Sequence, residues 1–146
     1  MILLLNGPNL SQLGHRDVAV YGSATIQEIV ATARAAHPDL DVLTAESEGE
    51  LVARLHRART DGTTAVIVNP GALGHYSYAL RDALEILAVP KVEVHLSQTH
   101  ARQPFRRHSV IGDVVDVSIT GAGALGYQLA VQAALHLLAG DGQDVG

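Results

Sequence analysis

The sequence predicts an α/β domain, a five-stranded parallel sheet with helices on both faces. Three observations carry that reading. Short apolar runs alternate five times with stretches of helical periodicity. Met1–Leu5 and Thr63–Val68 are continuously apolar or β-branched, as strands covered on both faces are. Gly, Pro and Asn gather just after these runs, where connections leave the carboxyl ends of parallel strands.

In chain order, Met1–Leu5 reads as the first strand, and Asn6–Gly22 is longer than the roughly two to six residues of an ordinary strand-to-helix connection. Connections of that length in compact domains are lids or binding loops. Thr25-Ile-Gln-Glu28 is a capping-box pattern, and Ile26, Ile29, Val30 and Ala33 repeat at helical spacing until His37-Pro38 stops the run. Asp41–Ala45 reads as strand 2. Ser47 opens a helix through Leu55 with Leu51, Val52 and Leu55 inward. Strand 3 is Thr63–Val68, followed by the turn Asn69-Pro70-Gly71 and a helix over Ser77–Leu87. Strands 4 and 5 are expected at Pro90–Leu96 and Val114–Ile119, and a last helix at Ala124–Leu138. Five strands favour the flavodoxin-like order 2-1-3-4-5, a three-layer sandwich whose ligands sit near the switch between strands 1 and 3.

Composition narrows the function. The 146 residues make one domain, expected over 1–140, with 141–146 a flexible tail. One Phe and no Trp leave an aliphatic core, and a net charge of −5 argues against a general nucleic-acid binder. The lack of cysteine excludes disulfides and thiolate metal sites and fits a reducing compartment. No apolar segment approaches the length of a signal core or membrane span, so a soluble cytoplasmic protein is expected.

The polar residues collect at the predicted strand ends: Asn6-Gly7-Pro8-Asn9, then Asn69 with His75, then Glu93, His95 and Ser97. Any one of these makes an ordinary turn; their coincidence at three neighbouring ends points to a site. Glu93 and His95 lie two apart on a strand and so share a face, where a carboxylate orients an imidazole as a proton donor. Arg16 and Tyr21 lie in the long connection. A free phenol has a pKa of about 10, and a fixed cation in a dry site would stabilise its anion as a base. His100–Ser109 holds three of the ten cations, Arg102, Arg106 and Arg107, which suits an anionic substrate. No His spacing matches a metal-ligand pattern. Gly121-Ala-Gly123-Ala-Leu-Gly126 fits a dinucleotide fingerprint but follows the last strand, so it reads as close packing of the final helix.

Together these segments resemble the type II 3-dehydroquinate dehydratases, or type II dehydroquinases, from Leu3 to about Leu138. The carriers are Asn6-Gly-Pro-Asn-Leu10, Tyr21-Gly22, Glu48-Gly-Glu50, Asn69-Pro-Gly with His75 and Ser77, Ala79–Ala83, Val92–Ser97, His100-Ala-Arg102 and Phe105–Ser109. The resemblance implies a flavodoxin-like fold and a cofactor-free, metal-free anti elimination of water from 3-dehydroquinate through an enolate, in the shikimate route or in quinate breakdown. It implies Tyr21 as proton acceptor, Arg16 as the residue that lowers its pKa, Asn9 holding a water, and His95 as proton donor supported by Glu93. It assigns Asn69, His75 and Arg106 to the substrate hydroxyls and Leu96 with Ser97 to the carboxylate. Asp82 corresponds to a residue contributed by a neighbouring subunit of a dodecamer of four trimers.

Departures from the family pattern are Asp17-Val18 in the lid, Glu46 for a common Asn, Gly74 for a common Thr, Gln98 for Asn, and Gln103-Pro104 for two acids. A paralogue with another ligand, or a flavin- or nucleotide-binding module, is the alternative reading. The lysine-imine route of the type I enzymes has only Lys91, at the wrong end of a strand.

Overall fold

The computed structural model describes residues 1–140; the expected tail lies outside them. Strands β1 (Ile2–Asn6), β2 (Leu40–Thr44), β3 (Ala65–Asn69), β4 (Lys91–His95) and β5 (Val117–Thr120) form one sheet in the order β2-β1-β3-β4-β5. Every pair is parallel, and Asn6 stands level with Thr44 on one side and Asn69 on the other. Helices α1 (Val18–Tyr21), α2 (Ile26–Ala36), α3 (Glu48–Ala58), α4 (Tyr78–Ile86) and α5 (Leu125–Leu138) complete the three layers. Order and sense are those the sequence predicts.

Two cores flank the sheet, because alternate strand residues face opposite ways. Ile2, Leu4, Ile67, Val92 and Val94 pack under α2 and α5, while Leu3, Leu5, Val66 and Val68 pack under α3 and α4. Helix starts follow the expected caps. The Thr25, Ser47 and Ser77 hydroxyls accept from the backbone N–H of Glu28, Glu50 and Leu80 at 3.2, 3.3 and 3.1 Å.

The last strand begins later than predicted. Asp116 is tied to Lys91 twice, its carboxylate accepting from Lys91 N and its own N–H donating to Lys91 O, both at 2.8 Å. That clamp ends a turn, and Val114 is packed into the α3–α4 core instead of the ladder. Lys91 itself opens β4 at the end of the sheet away from the polar strand ends, its ammonium donating to Leu87 O. Also at that end, the buried Arg54 guanidinium bridges Asp41 and Asp61, each at 2.8 Å. Among the described residues no helix is long and apolar enough to cross a membrane.

Candidate active site

The turns that leave β1 and β3 interlock. Gly7 N donates to Asn69 O at 2.8 Å. A Cβ on Gly7 would stand 2.5 Å from Pro70 O, and one on Gly71, at φ +58°, would stand 2.9 Å from Pro8 O. Only hydrogen fits at either point, which explains two Gly-Pro neighbours at two strand ends. Above them opens a cavity of about 100 Å³, lined by Asn9, Arg16, Tyr21, Asn69, His75, His95, Leu96, Ser97, Arg102 and Arg106 among others.

The Asn6–Gly22 connection is less free than its length implies. Leu10 and Leu13 are buried in the α2–α5 core, Leu10 opening a short 3-10 turn. The Asp17 carboxylate then caps α1, accepting from Ala19 N at 3.1 Å, so Asp17-Val18 starts a helical turn. This path brings Tyr21 back over the cavity. Its phenol oxygen accepts from Arg16 Nη2 and from Arg102 Nη2, both at 2.7 Å. The Arg16 guanidinium also lies 3.8 Å above the ring centroid. The sequence indicates Arg16, but Arg102 reads only as one cation of a basic loop. Arg102 continues to Ser97 Oγ at 3.2 Å, and burial, then the charge of Arg102, pushes the Arg106 guanidinium below its usual range. Three guanidinium groups on one small cavity favour an anionic ligand.

Opposite them, His95 Nε2 meets Glu93 Oε2 at 2.6 Å, and the Ser109 hydroxyl donates to both oxygens of that carboxylate at 3.0 and 3.1 Å. Glu93 does not line the main cavity. Its carboxylate meets the cavity through the His95 ring, whose Nε2 it holds and whose Nδ1 is left free of it. His75 Nδ1 lies 2.8 Å from His108 O; a carbonyl only accepts, so Nδ1 carries the hydrogen and Nε2 the lone pair. Burial first, then the neighbouring His95 and Arg106 charges, hold His75 below the ordinary imidazole value despite that carbonyl.

Asn9 has φ +69°, the only non-glycine among the described residues in that region. Its N–H donates to Glu46 Oε2 at 2.8 Å while the Ser11 hydroxyl donates to Glu46 Oε1 at 2.5 Å. The acid at the unusual position 46 thus ties the loop to the end of β2. A Cβ on Gly74 would stand 2.8 Å from Pro70 Cγ, so a larger residue there requires the proline ring to shift. Gln98 Oε1 accepts from His100 N and Thr120 Oγ1, both at 3.3 Å. The Gly121–Gly126 stretch packs as expected. A Cβ on Gly126 would be 3.2 Å from Val94 Cγ2, and Gly123 N donates to Leu96 O at 3.0 Å, fixing the turn that carries Leu96 and Ser97. Asp82 is exposed on α4, bound to its own neighbour Arg81 at 3.3 Å and away from this cavity. Tyr127 of α5 carries no signal in the sequence: it is buried and hydrogen-bonds both Asn6 and Asn69.

The chain is similar to known proteins over nearly its whole length. The model of the family described as dehydroquinase class II matches residues 1–135. The 3-dehydroquinate dehydratase of Methylococcus capsulatus is 49% identical over 140 residues, covering 93% of this chain and 95% of that protein. The type II dehydroquinase of Propionibacterium acnes superposes with a TM-score of 0.86 at 39% identity, over 94% of this chain and 95% of that one. The type II dehydroquinase of Butyrivibrio crossotus gives 0.87 at 35% identity, over 92% and 96%.

Proposed function

Because the chain belongs to the class II dehydroquinase family and is a type II 3-dehydroquinate dehydratase, a hydro-lyase of the shikimate pathway, we propose the following division of labour among its residues. Tyr21, as phenolate, takes the proton alpha to the substrate ketone. The electron pair of that C–H bond becomes an enolate. Arg16 and Arg102 hold the phenol oxygen, so the charge on the base sits between two fixed cations. Asn9 holds a water against the enolate oxygen. The enolate then expels the hydroxyl, which takes a proton from His95 Nδ1 and leaves as water. Glu93 keeps the imidazole in place. Asn69, His75 and Arg106 take the ring hydroxyls, and Leu96 with Ser97 the carboxylate. A proton passed from Tyr21 back to His95 through solvent restores the enzyme.

The observation that carries this reading is the convergence of two arginines on one phenol oxygen, in a cavity with a carboxylate-held imidazole. The test is turnover of 3-dehydroquinate, followed by absorbance of the conjugated enone product, with no added cofactor or metal and after borohydride. Tyr21→Phe removes a proton acceptor and little volume. Its kcat is expected to fall at least about a thousandfold with KM within a few-fold. Retention of most of the rate would remove Tyr21 from the role of base.

The same reading makes the working molecule a cytoplasmic homo-oligomer, a dodecamer of four trimers, with Asp82 completing the site of a neighbouring copy. Tyr76, Tyr78 and Ile86, each more than half exposed, stand on or just before the helix that carries Asp82, which supports a subunit contact there. Sedimentation velocity measures the assembly directly.

A further inference from the structure

Tyr127 is 1% exposed and takes no part in the proposed elimination. Its hydroxyl nevertheless bridges the two residues that end β1 and β3, donating to Asn6 Oδ1 at 2.6 Å and accepting from Asn69 Nδ2 at 3.0 Å. The direction of each bond is forced by its neighbour. Gly71 N–H can only donate, and it donates to Asn69 Oδ1 at 3.2 Å. The Asn69 nitrogen must therefore face Tyr127, and an amide nitrogen only donates. The phenol oxygen accepts it, so the phenol hydrogen goes to Asn6 Oδ1. That leaves Asn6 Nδ2 to donate to Thr44 Oγ1 at 3.2 Å. Burial holds the phenol above its ordinary range, so it keeps the proton on which this one-way chain depends.

We propose that Tyr127 is a positioning residue that, together with Gly71 N–H, fixes the hydrogen-bond polarity of the substrate site. With its oxygen turned to Gly71 and one hydrogen held by Tyr127, Asn69 has its second N–H as the donor it can offer a ligand in the cavity it lines. His75, which also lines the cavity, has the opposite polarity: Nδ1 is committed to His108 O and Nε2 can only accept. A donor and an acceptor on one cavity select a ligand hydroxyl, which accepts from Asn69 and donates to His75. An ether or a ketone oxygen answers only the first. Reversal of the Asn69 amide would present oxygen to the ligand and set two acceptors against one hydroxyl hydrogen. This inference rests on the dehydratase reading for the identity of the ligand, and on the hydrogen-bond chain for everything else.

The experiment is a double-mutant cycle on Tyr127→Phe and Asn69→Ala, with 3-dehydroquinate as substrate. Tyr127→Phe keeps the ring and removes one of the two partners that hold the Asn69 amide, leaving Gly71 N–H alone. KM is expected to rise about tenfold, as for one hydrogen bond lost or reversed, with kcat within about threefold. In the Asn69→Ala background the same substitution is expected to leave KM unchanged. Additive effects, or a lower melting temperature with unaltered KM, would overturn the proposal, since a merely structural tyrosine would produce those. Asn6→Leu is the second variant: it removes the acceptor of the phenol hydrogen and so loosens the Tyr127 oxygen that holds Asn69, and KM is again expected to rise. An unchanged KM there counts against the chain. If the unaltered protein fails to turn over 3-dehydroquinate, the fault lies with the proposed reaction. The same cycle is then read calorimetrically as affinity for that compound, where coupled losses support the chain and additive losses overturn it.

Discussion

A phenol held by two arginines responds to mutation differently from a phenol held by one. Arg102→Ala leaves Arg16 alone on the Tyr21 oxygen; kcat is expected to fall about 10- to 100-fold, as when one charge-assisted donor is removed from a site of developing charge. Steady-state kinetics decides it, and a rate within twofold of the parent would make Arg102 a bystander. Glu46 gives a milder test. Glutamine there can accept from Asn9 N and donate to Ser11 Oγ, whereas alanine can do neither. Glu46→Ala is expected to lower kcat several-fold and Glu46→Gln to retain at least half. His75 adds a pH dependence. Its folded pKa lies below the ordinary 6.5, so the fold favours the neutral ring. That stability is present above pH 6.5 and is lost as pH falls through the lowered value. Between about pH 7 and 5 the melting temperature is expected to drop less in His75→Gln than in the parent. At this scale the sequence reveals what is local. Arg16 and Tyr21 are five positions apart and share one short segment, but Arg102 lies 81 positions from Tyr21, and Tyr127 lies 121 from Asn6. No pattern in the chain marks such pairings before the sheet brings them together.

The elements were legible wherever burial imposes a period. Ile2–Leu5 is apolar at every position because both faces of β1 are covered, and the three hydroxyl caps sit where the sequence puts them. Edges were harder: β5 is half-covered, so nothing in Val114–Asp116 announces that a carboxylate clamp precedes the strand. The long connection reads as a free lid from its Gly, Pro and Asn content, yet two leucines pin its middle into the core. Leu13 is 2% exposed. Leu13→Ala is expected to cost about 2–4 kcal/mol of stability, from lost burial plus the cavity left behind. Because the same anchor holds the path to Tyr21, kcat is expected to fall with it. Urea unfolding and turnover measured on one preparation test both; a stable loss of activity, or a destabilised but fully active protein, would separate anchor from lid.

As a whole the molecule is divided along its strands. One end is built for chemistry, with turns, amides and imidazoles; the other is closed by Arg54 between two aspartates and by the buried Lys91 amine. If Asp82 serves a neighbouring copy, activity belongs to the assembly, and specific activity is expected to fall on dilution in step with the loss of the large species by sedimentation. The interlocked turns also govern time. Gly7 meets Pro70 and Gly71 meets Pro8 only after β1 and β3 have paired, and those strands are separated in the chain by β2 and its helices. A partly collapsed chain with native helices therefore has no cavity to be active with. In a refolding experiment the recovery of catalysis is a late clock: it trails the far-ultraviolet signal and never leads it, so enzyme assays of this protein count only molecules that have finished folding.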